Sequence, residues 1–446
     1  MKTIRIGAGA GYSGDRIEPA LELAEKGGLQ YLVFECLAER TIALAQQDRL
    51  RDPATGFDPL LVERFETVLP ACLRNGVRIV TNMGAANPEG AAEAVARIAR
   101  RLGARLTIAI LTGDNVREAI VAADARLDEM RATVSACGKP IVSANAYLGA
   151  EGIVQALARG ADVVITGRVA DPSLFLAPMF HEFGWAFDDW PRLGRGTAVG
   201  HLLECAGQLT GGYFADPGFK DVPGLARLGF PLAETDEEGG AVLTKVEGSG
   251  GRITTATCKE QLLYELHRPD RYLTPDVTAD FTGVCFRELG PDRIEVQGAS
   301  GTARPERLKV SVAYADGFVG EGQISYAGPG CLSRARLAIE IVKARLAERR
   351  IEPEEIRYDC IGLDAILGGA RPGAGEPAEV RVRVAARCRT AGLAAAVANE
   401  VETLYTNGPA AGGGVTKVGR PVLAMDSTVL SRHLALPSVR CLEVIP

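Results

Sequence analysis

The chain has 446 residues, with 50 Lys and Arg against 56 Asp and Glu for a formal net charge of −6, and is 47% apolar. That mildly acidic, ordinary globular composition excludes a disordered polymer and argues against a general binder of nucleic acid or of anionic membranes. Aromatic residues make up only 6% and glycines number 52, so the core is expected to be built from Ala, Val, Leu and Ile joined by permissive turns. No apolar run reaches the ~18 residues of a membrane span. The start lacks the apolar stretch of a secretory signal, and the ten cysteines never occur as Cys-x-x-Cys. The expectation is a cytoplasmic protein with reduced, mostly buried thiols and no zinc ribbon.

The first half reads as strands alternating with helices. Apolar runs predict strands over 3–8, 31–34, 77–80, 106–111, 141–142 and 162–165, with helical stretches between them, among them 18–26, 37–50 and 89–102. Short strands apolar on both faces imply a parallel sheet covered by helices. A doubly wound, mostly parallel α/β sheet is the first choice and an incomplete β/α barrel the alternative. Either gathers ligands at the carboxyl ends of its strands. Those ends carry Glu35, Asn82, Asn145, Arg168 and Asp171.

The second half changes character after a helix near 197–209. Strand-like pieces at 241–246, 252–257, 281–288, 292–297, 307–314 and 379–386, with helices at 332–349 and 391–403, predict a mixed α+β domain. The boundary is placed at 215/216, giving domains 1–215 and 216–446, and no fixed-period repeat is visible.

Five groups of residues offer chemistry. Gly9-Ala-Gly11-Tyr-Ser13-Gly14 is a literal G-x-G-x-x-G after a strand, and Glu35 ends the next strand at dinucleotide-binding spacing. Against NAD or FAD stand Pro19, which suits the first turn of a helix that opens too late, and Asp15, which sets an anion beside the phosphates. The other readings are an anion-binding loop of Gly9, Gly11, Ser13, Gly14 and Arg16, or a plain glycine turn. Asn82 and Asn145 could bind a substrate carbonyl or carboxylate, or make Asx turns. Asn87-Pro88 suits a helix cap, and Tyr147 suits the core. Arg168 can clamp a carboxylate in two-pronged fashion, and Asp171 before Pro172 is either an N-cap or a base. His201 and Glu204 lie three apart on one helix face, as a proton-transfer pair, metal ligands or a surface pair. The glycine-rich stretches 247–251 and 407–414 lack the Walker pattern and read as turns or phosphate-facing loops, and no serine-hydrolase elbow is present.

Several stretches together resemble one family: Gly11-Tyr-Ser-Gly-Asp15-Arg16, Phe34-Glu-Cys-Leu-Ala-Glu-Arg-Thr41, Thr81-Asn-Met-Gly-Ala-Ala-Asn-Pro88 and Thr166-Gly-Arg-Val-Ala-Asp171. To these are added His201-Leu-Leu-Glu-Cys205, Lys245-Val-Glu-Gly-Ser-Gly-Gly251 and Tyr405-Thr-Asn-Gly-Pro-Ala-Ala-Gly-Gly-Gly414. Over nearly its whole length the chain is similar to the acyclic terpene utilisation (AtuA-type) family. The resemblance implies a place in the catabolism of branched or terpenoid acids handled as CoA esters. Longer members of the family resemble this chain followed by a further small, C-terminal ferredoxin-like domain, and the resemblance implies that a separate small partner subunit would supply that domain here.

The resulting expectation is a catabolic enzyme acting on a small carboxylic acid or its CoA thioester. Its chemistry would be of lyase, hydratase or isomerase type beside a carbonyl, needing a base, an acid and a stabiliser for an enolate-like oxyanion. Glu35 or Asp171 would take the proton, His201 with Glu204 would manage the leaving oxygen, Arg168 would hold the carboxylate, and Asn82 and Asn145 the carbonyl. A divalent metal is compatible and not required. Two alternatives stay open: an NAD(P)- or FAD-dependent oxidoreductase, and a non-catalytic subunit of a catabolic complex. Homo-oligomers are expected; nucleic-acid and membrane partners are not.

Overall fold

A computed structural model describes residues 2–368 and 376–445. The chain divides into two compact units, Met1–Ala313 with Met425–Pro446, and Tyr314–Ala424. The first unit opens with the predicted alternation: β1 (Thr3–Ala10), α1 (Glu18–Lys26), β2 (Tyr31–Phe34), α2 (Glu39–Arg51), α3 (Leu61–Asn75), β3 (Arg78–Thr81), α4 (Pro88–Arg101) and β4 (Leu106–Thr112). It continues with α5 (Arg117–Ala122), β5 (Ile141–Ala146), α6 (Glu151–Ala158), β6 (Val163–Thr166), α7 (Asp171–Phe183) and α8 (Trp190–Leu203). Then come β7 (Pro231–Asp236), β8 (Ala241–Lys245), α9 (Thr255–Leu263), β9 (Tyr272–Leu273), β10 (Thr278–Asp280), β11 (Cys285–Gly290), β12 (Arg293–Gln297) and β13 (Ser300–Thr302).

Every residue of β2 and β6 is buried, which is why they read as unbroken apolar runs and sit at the centre of a parallel sheet. Five strands, β1-β2-β3-β6-β4, run parallel. Helices pack on them in two groups, α1 with α3 and α4, and α6 with α7 and α8. The α/β class therefore holds, and the sheet is mixed: β7, β8, β12 and β11 extend the β1 side antiparallel. The sheet ends at β11 on one side and at β18 (Ser438–Val444) on the other, where β18 pairs antiparallel with β4. It is open, so the barrel alternative is set aside. A small antiparallel sheet, β13-β10-β9, completes the strands before residue 303.

Three expectations change. The strand at 141–142 is real but leaves the parallel sheet: β6 occupies the place between β3 and β4, and β5 pairs with β14 (Arg307–Ala327). The strand-like piece at 252–257 is a helix start. Its β-branched residues form a capping box in which Thr254 Oγ1 accepts from the Thr257 N–H at 3.2 Å and Thr257 Oγ1 from the Thr254 N–H at 3.0 Å. The boundary expected at 215/216 falls inside the first unit, because β7 and β8 continue the sheet that holds β1.

The second unit takes the later part of β14, then α10 (Cys331–Glu348), β15 (Glu355–Ile361), β16 (Glu379–Cys388), α11 (Ala391–Glu402), α12 (Leu404–Asn407) and the earlier part of β17 (Gly413–Ser431). Its sheet order is β15-β16-β14-β17. With α10 and α11 as crossovers, this is the split βαβ arrangement of ferredoxin-like folds. Strict alternation along β16 buries Val380, Val382, Val384 and Ala386, so one face of the sheet packs on the helices.

Candidate active site

The first unit holds a cavity of about 760 Å³ where the carboxyl ends of β2 and β6 meet α8. Its lining includes Gly11, Arg16, Glu35, Arg168, Asp171, His201 and Glu204 from the sequence reading, with Leu228, Phe230, Tyr272 and Leu308 among its apolar walls. A volume of this size accommodates a small organic ligand.

Glu35 follows β2 and is 8% exposed. Its Oε1 accepts from the Leu37 N–H at 2.9 Å and from Asn82 Nδ2 at 2.8 Å. Burial first, and the nearby Asp171 charge second, push its pKa up to about 8, against the pull of Arg168 and these two donors. Asn82 does not line the cavity. It is fully buried and works behind Glu35, its Oδ1 accepting from the Cys36 N–H at 2.7 Å.

Arg168 is 1% exposed and ion-paired to Asp171, with Nη1 to Oδ1 at 3.0 Å. Nη1 also donates to the Leu37 carbonyl, and the guanidinium lies 4.1 Å from the centroid of the Tyr147 ring. Arg168 is therefore already engaged and holds Asp171 rather than standing free as a carboxylate clamp. Asp171 is the first residue of α7 but not its cap, since Ala170 occupies that position without a side-chain bond. Burial raises the Asp171 carboxyl despite Arg168. Asn145 lies outside the lining: its Nδ2 donates to Asp114 Oδ2 at 2.8 Å, and Asp114 also accepts from the Arg168 N–H at 3.0 Å. Both asparagines thus position charged residues, and neither offers its amide to the cavity.

His201 and Glu204 form a hydrogen-bonded pair within α8 and just past its end. His201 Nδ1 meets Glu204 Oε1 at 2.8 Å, and Nε2 meets the Leu262 carbonyl at 3.1 Å. A carbonyl only accepts, so Nε2 carries a proton, and Nδ1 and Oε1 share the next one. The ring packs against Tyr272 and Phe281, with centroids 5.2 and 5.8 Å away. Both His201 nitrogens are occupied, whereas Glu204 Oε2 is buried without a hydrogen-bond partner among the described residues. Burial pushes the Glu204 carboxyl up to about 7 even with His201 beside it. Burial lowers His201, yet the Glu204 charge and hydrogen bond outweigh it and leave the imidazole above its usual value. Cys205 also lines the cavity, and burial with Glu204 holds its thiol far above the reactive range.

The glycine loop has a different use from phosphate binding. The Gly11 N–H donates to Asp15 Oδ2 at 3.0 Å and the Arg16 N–H to Asp15 Oδ1 at 2.9 Å, so Asp15 fills the place an anion would take. A side-chain carbon on Gly11 would lie 2.5 Å from the Cys205 carbonyl carbon, and one on Gly9 would lie 2.5 Å from the Phe34 ring. The glycines are there for packing, and α1 opens only at Glu18, with Pro19 in its first turn. Ser13, Gly9 and Gly14 stand outside the lining; the Ser13 carbonyl accepts from the buried Arg64 at 3.4 Å. Of the later glycine stretches, 247–251 holds a turn in which Ser249 Oγ donates to the Val246 carbonyl, and 407–414 joins the end of α12 to the start of β17.

Sequence reasoning passed over Glu39, Lys309, Glu265 and Tyr272, which also line the cavity. Tyr147, expected in the core, joins them, donating from its hydroxyl to Glu39. Although burial opposes it, Arg168, Tyr147 and Lys309 hold Glu39 down to about 2. Glu39 stood in one quoted stretch, but an acid in a first helical turn looks like ordinary helix-end chemistry. Among the described residues no group of three or more His, Cys, Asp or Glu side chains is arranged to hold a metal ion, and no helix is long and apolar enough to cross a membrane.

A family model described as acyclic terpene utilisation family protein AtuA matches residues 4–441. The chain belongs to that family. Membership ties this AtuA-family chain to the utilisation of acyclic terpenes. No curated protein and no solved structure matches it.

Proposed function

We propose that this AtuA-family chain is an enzyme of acyclic terpene catabolism that moves protons beside the carbonyl of a branched acid or its CoA thioester, as a lyase, hydratase or isomerase. The observation that carries the reading is a pair of buried carboxyls on one cavity, Glu35 at about 8 and Glu204 at about 7. Groups tuned to neutrality serve acid–base catalysis best. Near pH 7.5 Glu204 is mostly ionised and Glu35 mostly protonated. Because Glu35 Oε1 already accepts two N–H bonds, its proton sits on Oε2.

Glu204 Oε2 is then the base. It takes a proton from the carbon next to the carbonyl, and the C–H electron pair moves to the carbonyl oxygen as an enolate. Glu35 supplies a proton to the departing oxygen or to the far carbon. The positive charge of Arg168 stabilises the oxyanion electrostatically, and Asn82 and His201 keep the two carboxyls in place. The roles expected for Asn82 and Asn145 as carbonyl ligands are not retained.

The test is exchange in D₂O. Coenzyme A thioesters of branched acyclic acids, offered as saturated, 2-enoyl and 3-hydroxy forms, are incubated with the protein and analysed by mass spectrometry. Deuterium entry beside the carbonyl, or water addition or loss, is expected, falling at least ~10²-fold in E204Q. No exchange or hydration across the panel refutes the reading.

A further inference from the structure

A carbonyl oxygen that becomes an enolate is stabilised best by a hydrogen-bond donor aimed at it, and the polar groups already placed around the cavity are spent elsewhere. Arg168 turns Nη1 and Nη2 toward Asp171, and its Nε is sealed in the interior. Both His201 nitrogens are occupied. The Gly11 N–H is taken by Asp15, Lys309 pairs with Glu39, and Thr274 Oγ1 donates to the Val277 carbonyl at 2.9 Å.

Five of the ten tyrosines line this cavity, so five phenols are available as donors. Tyr147 is spent on Glu39. Tyr12 and Tyr213 are 61% and 89% exposed, where water competes for their hydroxyls. Tyr264 has Glu265 and Gln208 beside its hydroxyl. Tyr272 is left. Its hydroxyl makes no hydrogen bond among the described residues, and it is not sealed away as the hydroxyl of Tyr326 is. The ring is held firmly. Its backbone pairs with Ala279 across β9 and β10, and ring centroids of His201 and Phe281 each lie 5.2 Å from its own. The imidazole that holds Glu204 therefore also supports this phenol. Burial first, then the Glu204 and Asp171 charges, keep the phenol well above its ordinary value. It stays protonated while Glu35 and Glu204 titrate, and a neutral phenol can donate to an anion.

We infer that Tyr272 is a further catalytic residue of this cavity, its hydroxyl donating a hydrogen bond to the substrate carbonyl oxygen as that oxygen takes up negative charge. The inference rests on the acid–base reading and adds the donor which that reading lacks. Glu204 Oε2 removes the proton, the C–H electron pair ends on the carbonyl oxygen, and the Tyr272 O–H bond stays intact. Arg168 contributes charge from behind, and Tyr272 contributes the direct contact.

The test compares wild type with Y272F, which keeps the ring and removes only an oxygen that has no bond within the fold. Deuterium exchange beside the carbonyl should fall at least ~10²-fold, as when one oxyanion donor is deleted. Y272F should unfold at the wild-type temperature, and its residual rate should keep the limits near pH 7 and 8 set by Glu204 and Glu35; a merely structural role would move them. A second measurement needs no turnover. In E204Q the neutral amide stands in for the protonated Glu204 of the enolate complex, and the preformed nitronate of a branched nitroalkane copies the enolate. Calorimetric titration should show that E204Q binds this nitronate and that E204Q/Y272F binds it at least ~10-fold more weakly. Exchange at the wild-type rate in Y272F overturns the inference, as does equal nitronate affinity in the two variants or no binding by E204Q. If wild type shows no exchange while nitronate binding still depends on Tyr272, the acid–base reading fails and the donor stands, so the two failures are distinguishable.

Discussion

Replacing Glu35 with glutamine is expected to change how the stability of the protein depends on pH. Burial, then the Asp171 charge, moves the Glu35 pKa from an ordinary 4.5 to about 8 in the folded state. Between those values the folded chain keeps a proton that the unfolded chain has released. The stabilisation is fully present below pH ~4.5 and is lost as pH rises through about 8. One pKa unit corresponds to about 1.4 kcal/mol, so this group alone lowers stability by about 1.4 kcal/mol per pH unit across the window. Glutamine has a similar shape, its Oε1 can still accept from Asn82 and Leu37, and it does not titrate. Urea unfolding of both proteins at pH 5.5 and 8.5 provides the assay. The stability of E35Q relative to wild type should rise by roughly 3–4 kcal/mol from the lower to the higher pH. A difference that stays constant within about 1 kcal/mol refutes the premise that Glu35 is held protonated by its surroundings.

Four further outcomes follow from the same geometry. In E204Q, burial of His201 loses its main opposition, the Glu204 charge and hydrogen bond, and keeps only the smaller pull of the Leu262 carbonyl and Glu265, so the His201 pKa should fall from its raised value; NMR of the four histidine rings reads this, and a rise contradicts the shared-proton account. Turnover needs Glu204 ionised and Glu35 protonated, so the rate should rise through about pH 7 and fall through about pH 8, and a flat profile from 6 to 9 rules the pair out. G11A drives a methyl group into the Cys205 backbone and should destabilise by about 2 kcal/mol or more. Wild type should show no thermal stabilisation by NAD(H), NADP(H) or FAD, and a ligand-dependent shift would restore the dinucleotide reading.

Much of the parallel core was legible because buried strands write themselves as short apolar runs. Tyr31–Phe34 and Val163–Thr166 are cases, and the residues just past them, Glu35 and Arg168, were findable from the rule that sheets collect ligands at strand ends. Neighbours across the sheet were not legible. Nothing in Ile141–Ala146 states that β6 displaces it from the sheet, and nothing in β7 or β8 names β1 as their partner. The asparagines were found but misassigned, because an amide reads the same whether it faces a ligand or steadies a carboxylate one layer behind. Lys309 and Glu265 were missed because single charged residues are the commonest surface pattern, and only their three-dimensional convergence distinguishes them.

The pairing of β18 with β4, Val439 opposite Leu111 and Leu442 opposite Ile108, bears on biosynthesis. More than three hundred residues separate the two strands, so on the ribosome the outer backbone of β4 emerges long before its cover exists. A bare, apolar, parallel-sheet flank invites pairing between nascent chains. Growth in which translation stalls between these strands is therefore the circumstance in which this polypeptide should lean hardest on chaperones.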